Sequence, residues 1–205
     1  MEEVLDLYAE PADPARPRVC FDERPVQLVA ETRPPVSVAP GQPARVDYEY
    51  KRNGTANLFL AFCPDAGWRR VDVTARRTTA DYAQQMRKLV DEDFPEAEAI
   101  RLVVDNPNTH SPAALYATFP PAEAHRIARK LEFHYTPKHG SWLNMAELEF
   151  SVLARQCLDR RIADAADLRT QTDAWTTSRN AVRATVCWRF TTTQARTKLS
   201  RLYPA

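Results

Sequence analysis

The sequence has little glycine. Its four residues of that type, Gly41, Gly54, Gly67 and Gly140, form neither GxGxxG nor GxxxxGK[ST]. Such loops turn backbone N–H groups toward phosphates, so a nucleotide-cradling motif is excluded. No GxSxG elbow and no HExxH pair occurs, which removes two common hydrolase chemistries. The cysteines, Cys20, Cys63, Cys157 and Cys187, are far apart and make no CxxC pair, so neither a disulfide framework nor a zinc site is expected. His134 and His139 have no third soft ligand near them in sequence. No apolar run approaches the roughly 20 residues that span a bilayer. The first twenty residues are acidic and broken by proline, unlike a secretory signal. Cytoplasmic residence without a membrane partner is the expectation.

What is present is ordinary in bulk and uneven in distribution. A chain of 205 residues suits one domain and can bury on the order of 70% of its unfolded surface. Net charge is only +1, yet residues 151–205 carry ten basic side chains against four acidic ones, leaving residues 1–150 net negative. That basic quarter could lie along phosphates, or be a solvated helical surface.

Eight of the sixteen prolines fall in the first 43 residues. They predict short extended pieces there, because proline lacks an N–H and disfavours helix in its predecessor. Arg18–Phe21 reads as a first strand ending at Asp22. Tyr48–Lys51, an Asn53-Gly54 turn and Ala56–Phe62 read as a hairpin, with Trp68–Val73 as the next strand. Ala80–Asp93 carries Tyr82, Met86 and Leu89 on one helical face. Ala99–Val104 (AIRLVV) is apolar, β-branched and too short for a helix. Helices are expected over Pro112–Tyr116, Ala122–Leu131, Trp142–Asp159, Ala165–Thr177 and Thr193–Leu202, with Glu132–Tyr135 as a strand. Strands first, then alternation, then helices predict an α/β fold with a mixed sheet.

The chemistry must then lie with carboxylates. Asp22 and Asp105 each follow an apolar strand, at the sheet edge where α/β proteins place ligands. If those strands are adjacent and parallel, the two acids face each other, and they repel unless a cation lies between them. Hard oxygen donors suit Mg²⁺ or Mn²⁺. Each aspartate alone is equally compatible with a turn or cap. In the segment HYTPKHGSWLNMAELEFSVL, Ser141 reads as an N-cap. Leu143, Glu147, Phe150, Ala154 and Cys157 then share one face, so Glu147 interrupts an apolar stripe. An arginine partner would also account for it. Glu149 falls on another face and is expected to touch only solvent or a neighbouring side chain.

Asp22 in CFDERPVQL, Asp105 in VVDNPNTHSP and Glu147 in TPKHGSWLNMAELEFSVL resemble the three signature blocks of mariner-type DDE transposases, in the branch carried by bacterial insertion sequences. The likeness extends over RVDYEYKRNGTANLF, GWRRVDVTARRT and TTTQARTKLSRLYP. It implies a ribonuclease H-like mixed sheet flanked by helices, with residues 1–205 one catalytic domain and 160–205 its helical C-terminal portion. It implies that Asp22, Asp105 and Glu147 converge on two Mg²⁺ ions, with Mn²⁺ as a substitute, for cleavage and strand transfer at transposon ends. Target DNA cut at a TA step, a homodimeric active complex and a location on the bacterial nucleoid are also implied. Members normally carry helix-turn-helix domains ahead of this region, so such a reader is expected to be absent here or to lie on a separate chain. Pro107 stands where an aliphatic residue is usual. His110, Lys138, His139, Ser141, Asn144, Arg155, Arg160 and Arg161 are candidate DNA contacts, each equally readable as a cap, loop or solvated residue. Two other readings remain open: a metal-dependent nuclease that never joins strands, and a non-catalytic module that binds DNA or a transposase.

Overall fold

The apolar run Ile100–Val104 forms a strand, β4, that is buried along its whole length. Such a strand needs a neighbour on each edge and a layer on each face. The computed structural model describes residues 1–34, 37–43, 47–105 and 110–203. In it β1 (Arg18–Glu31), β2 (Tyr50–Cys63), β3 (Trp68–Thr74), β4 and β5 (Leu131–Tyr135) make one sheet in the order β3-β2-β1-β4-β5. The β1–β2–β3 half is an antiparallel meander, whereas β1, β4 and β5 run parallel. This is the mixed sheet expected from the order of elements.

Among the described residues seven α-helices cover the two faces: α1 (Glu2–Ala9), α2 (Thr79–Lys88), α3 (Pro112–Thr118), α4 (Pro121–Lys130), α5 (Met145–Leu153), α6 (Ala165–Ala181) and α7 (Thr192–Lys198). Side chains alternate along a strand, so β1 and β2 feed two cores. Val19, Phe21, Phe59 and Ala61 pack with Tyr82 and Met86 of α2 and with Leu89, where the helix passes into a π-turn. Cys20, Leu58, Leu60 and Phe62 pack on the other face with Phe150 and Leu153 of α5 and Leu168 and Trp175 of α6. A reciprocal cap between Thr78 and Asp81 starts α2. Prolines in the first turn start α3 and α4, where a missing N–H costs nothing.

Four expectations are corrected. The first strand does not end at Asp22 but continues to Glu31, passing through Pro25. Its pairing with β4 is already over at Cys20, and an edge position tolerates a residue without an amide hydrogen. The Asn53-Gly54 pair is not a hairpin turn. Gln27 pairs with Thr55 and Val29 with Arg52, so Asn53 and Gly54 together oppose Leu28 as a bulge, with Gly54 at φ 87°. Residues before Pro11 are helical rather than extended, since that stretch holds no proline. Helix α5 is capped by Asn144, whose Oδ1 accepts from the Ala146 N–H at 3.1 Å, and not by Ser141, which opens a short 3₁₀ turn. Pro107 lies outside the described residues.

The phase of α5 is the largest correction. Glu149 is 1% exposed, while Glu147 faces solvent. Met145, Leu148 and Val152 make the helix apolar on several sides, so sequence spacing could not fix its rotation. A partner on β3 does. Arg69 Nε lies 2.9 Å from Glu149 Oε1, and Arg179 of α6 reaches the same carboxylate at 3.1 Å. Arg69 is fully buried and also donates to the Gly67 carbonyl at 3.0 Å and to Asn180 Oδ1 at 3.2 Å. Asn180 in turn bonds the Arg69 main chain through both its N–H and its carbonyl, at 2.9 and 2.8 Å. The outer edge of β3 is thereby closed by α6, as an edge strand requires.

Removing one member of a buried ion pair strands the other charge, at about 3–5 kcal/mol. Glu149→Gln is therefore expected to lower the unfolding free energy by about that amount in urea denaturation. A loss below ~1 kcal/mol would contradict this account. Gly67 has φ 62°, and a Cβ there would meet the Arg183 carbonyl carbon and oxygen at 2.4 Å. Gly54 is at φ 87° with open space around it. Thermal melting should show Gly67→Ala clearly less stable than Gly54→Ala, because only the first adds a backbone collision to the strain.

Candidate active site

The last matched pair of β1 and β4 is Cys20 with Val103. Asp22 and Asp105 each stand two residues beyond it, so the parallel register brings both acids to the same level of the sheet's carboxyl edge. Asp22 shares the face of Cys20, the one that α5 covers. It is 8% exposed, and its Oδ1 accepts from the Glu23 N–H at 2.8 Å. Burial pushes the Asp22 carboxyl up, the charge of Asp105 adds to this, and Glu147 contributes further; together they raise its pKa to about 7. Three acids therefore act on one another here, from β1, from the end of β4 and from α5.

Helix α5 is tied to this edge by its cap. Asn144 is fully buried, and its Nδ2 donates to the Phe21 carbonyl at 2.9 Å, one residue before Asp22. From below, the Tyr8 hydroxyl donates to the Leu143 carbonyl at 2.7 Å. These bonds set Glu147 in the first turn of α5, where the helix dipole favours an anion.

Asp105 is held by a buried histidine. His110, 1% exposed, lies with Nδ1 2.8 Å from Asp105 Oδ1 and Nε2 2.7 Å from Glu23 Oε2. Its ring stacks on Tyr82 at 4.8 Å and meets Phe21 edge-on. Burial pulls the imidazole pKa down, but the hydrogen bonds to Asp105 and Glu23 outweigh it and lift it to about 9. His110 is thus a carboxylate bridge and not an exposed phosphate contact. Asn144 is likewise a buried tie and not a DNA contact. Arg161 is engaged with Glu31 at 2.5 Å and with the Asp47 carbonyl at 2.7 Å, and Arg160 bonds Gln171. Lys138, His139, Ser141 and Arg155 remain exposed.

Glu23, Glu149 and Tyr8 carry roles that sequence reasoning did not give them. Glu23 neighbours Asp22, but a strand turns its side chain to the opposite face, and only the placement of His110 explains it. A buried Tyr on a short N-terminal helix gives no signal in the sequence that it reaches Leu143.

The donor set fits a hard divalent cation. It is all carboxylate, and it holds excess negative charge at a partly desolvated place. Asp22 and Asp105 each engage only Oδ1, and among the described residues Oδ2 of each accepts no hydrogen bond. The expected closure is not complete, however. Among the described residues no three His, Cys, Asp or Glu side chains are gathered closely enough to hold a metal ion.

Comparison with known proteins bears on the family and the fold. Residues 17–169 match the model of the DDE superfamily endonuclease family. No curated protein sequence matches the chain. Among solved structures, the chain is similar to the Mos1 mariner paired-end complex with Mn, at 18% identity and a TM-score of 0.60 over 89% of this chain and 54% of that one. It is similar to the Mos1 strand transfer complex at 16% identity and a TM-score of 0.61, over 89% of this chain and 53% of that one. The chain thus spans about half the length of these proteins, and at such identity the likeness is one of fold, the ribonuclease H-like arrangement. The match over residues 17–169 includes all three acids of the sheet edge, and by it the chain belongs to the DDE superfamily endonuclease family.

Proposed function

We propose that this chain is the catalytic domain of a DNA transposase, cutting and joining strands at transposon ends with the help of divalent cations. What supports this reading is the parallel register that levels Asp22 with Asp105 at one sheet edge, with Glu147 in the first turn of α5 adding to the rise of the Asp22 carboxyl. Asp22, Asp105 and Glu147 would hold two Mg²⁺ or Mn²⁺ ions. When bound, such ions supply activation of a water or 3′-hydroxyl nucleophile and stabilisation of the leaving oxygen. The chain's own part is positional. Asn144 and Tyr8 fix where α5 begins, and Glu149 fixes its rotation. His110 holds one oxygen of Asp105, and the other accepts no hydrogen bond among the described residues. Lys138, His139 and Ser141 are exposed ahead of α5 and Arg155 beyond it, and they would be the residues to meet phosphates.

Paired transposon ends, a TA target, a homodimeric complex, a helix-turn-helix reader on another chain or segment, and action on the bacterial nucleoid belong to the same proposal, as does residues 1–205 working as one domain. No helix among the described residues is long and apolar enough to cross a membrane. A second reading, a DNA-binding module without catalysis, is favoured by one observation: the three carboxylates do not form a closed metal cluster.

The two readings differ in their response to metal. If ions bind the folded chain at these acids, Mn²⁺ at a hundred times its dissociation constant should stabilise it by about 2.7 kcal/mol, and the melting temperature should rise. Asp22→Asn should abolish that rise, and a chelator should return the wild type to its metal-free melting point. An Mn²⁺ effect unchanged in Asp22→Asn would place the ions elsewhere.

Loss of an outer-shell partner typically costs 10–100-fold at metal sites. Asp22→Asn, Asp105→Asn and Glu147→Gln should each therefore reduce Mn²⁺-dependent nicking of plasmid DNA by more than about a hundredfold, Asp22→Asn and Glu147→Gln without a fall in melting temperature. Pre-cleaved ends offered with a plasmid then separate joining from hydrolysis. Folded variants that nick as well as the wild type would refute the assignment, and hydrolysis with no joined product would leave a nuclease.

A further inference from the structure

The loop from β5 into α5 carries an aromatic shelf that the carboxylate chemistry does not use. Trp142 is 43% exposed, two residues before the Asn144 tie and five before Glu147. One side of its ring is backed by Trp188, near-parallel at 21° with centroids 6.2 Å apart, and by Phe190 at 5.8 Å. Trp188 is itself fixed, since it lies 5.2 Å from the Tyr8 ring and its indole N–H donates to the Phe190 carbonyl at 2.8 Å. The rest of the Trp142 ring borders a cavity of about 190 Å³ that Pro137, Lys138, His139, Gly140 and Leu143 also line. That is below the roughly 300–1,000 Å³ of sites for drug-sized ligands, so the space suits one small planar group.

The wall of this cavity is rigid. The Gly140 N–H donates to the Pro137 carbonyl at 2.8 Å, and a Cβ at Gly140 would meet Pro137 Cγ at 2.6 Å. His139 is held at φ 63°, a conformation that non-glycine residues adopt at a cost and that tends to persist at working sites. A large aromatic ring left half in water beside a preformed hollow also forgoes burial that it would otherwise gain.

We propose that Trp142 is a stacking platform for a single unpaired base of DNA, held next to the carboxylate edge. Every base has a π-face, and stacking on an exposed aromatic ring is how proteins hold unpaired bases without reading sequence. The exposed Lys138 and His139 on the same rim suit the phosphates on either side of that base. Trp142 stands two residues before Asn144, whose amide bonds the Phe21 carbonyl beside Asp22, and this short backbone path is what links the platform to the carboxylate edge. The proposal rests on the DNA-cleaving reading, and it adds that the substrate is locally unpaired there.

The test compares binding of the full chain to two duplexes without Mg²⁺ or Mn²⁺, one blunt and one ending in a short single-stranded overhang that carries 2-aminopurine. The wild type should prefer the overhang and quench its fluorescence. Trp142→Ala should lose about tenfold on the overhang and nothing on the blunt duplex, and Trp142→Phe should retain most of the preference. If Trp142→Ala melts early, Trp142→Leu keeps the apolar bulk without the π-face and reads the same difference. Equal wild-type affinity for the two duplexes, or an equal loss on both in the variants, overturns the proposal. So does a Trp142→Ala effect on self-association with none on the overhang, which would mark the shelf as a surface between two copies. The comparison is made without catalytic metal, so its failure is distinct from failure of the nicking series at Asp22, Asp105 and Glu147.

Discussion

The arrangement of the site depends on a buried ion pair that takes no part in it. Glu149 joins Arg69 of β3 and Arg179 of α6 where water is excluded, and taking these charges out of water costs several kcal/mol per ion. Well-packed apolar residues of the same volume would hold the three elements together at least as firmly. What they would not supply is a rotational preference for α5, whose apolar residues lie on several sides. With Glu149 fixed inward, Glu147, about 200° around the helix, must turn outward. The exposed acid and the buried acid are thus two results of one constraint.

A second set of ties controls translation rather than rotation. The Asn144 amide bonds a main-chain carbonyl of β1, and the Tyr8 hydroxyl bonds a main-chain carbonyl just ahead of α5. Both contacts go to backbone, so they fix the start of α5 against the strand that carries Asp22 whatever side chains lie nearby. The electrostatics follow from this placement. Asp22 is desolvated under α5 and repelled by three other acids, Asp105, Glu147 and Glu23, whereas Asp105 is hydrogen-bonded to His110. One acid is pushed up by burial and like charge and its neighbour has a hydrogen-bond partner, which makes the edge asymmetric before any ligand arrives.

Some of this was legible in the sequence because the signal was local. AIRLVV reads as a buried strand because a short, mostly apolar run with three β-branched residues has few other uses, and Tyr82, Met86 and Leu89 mark the inner face of α2 and the turn after it by their spacing alone. The parallel register that levels Asp22 with Asp105 required only that β1 and β4 be neighbours. The failures that matter for the site are long-range. Nothing around Glu149 announces Arg69, so sequence spacing alone favours the stripe through Glu147 as the buried one. Asn53-Gly54 has the chemistry of a hairpin turn, yet a strand as long as β1 keeps β2 extended past it and converts the pair into a bulge. His110 and Asn144 are polar residues close to acids in sequence, which suits ligand contacts as well as it suits internal ties, and only burial separates the two.

The same logic explains why so much function is concentrated in a few residues. From Trp142 to Glu149 the chain passes from an aromatic shelf to a backbone tie, then to an exposed acid, then to a buried anchor. Each uses a different face or end of one short helix, so none can be displaced without moving the others. A shift of α5 by one residue would put Leu148 where Glu147 stands and would pull Glu149 away from Arg69. It would leave Arg69 uncompensated and the sheet edge one carboxylate short. The buried pair therefore resists the slip that the site could least tolerate, although it lies on the other side of the helix from every acid it positions.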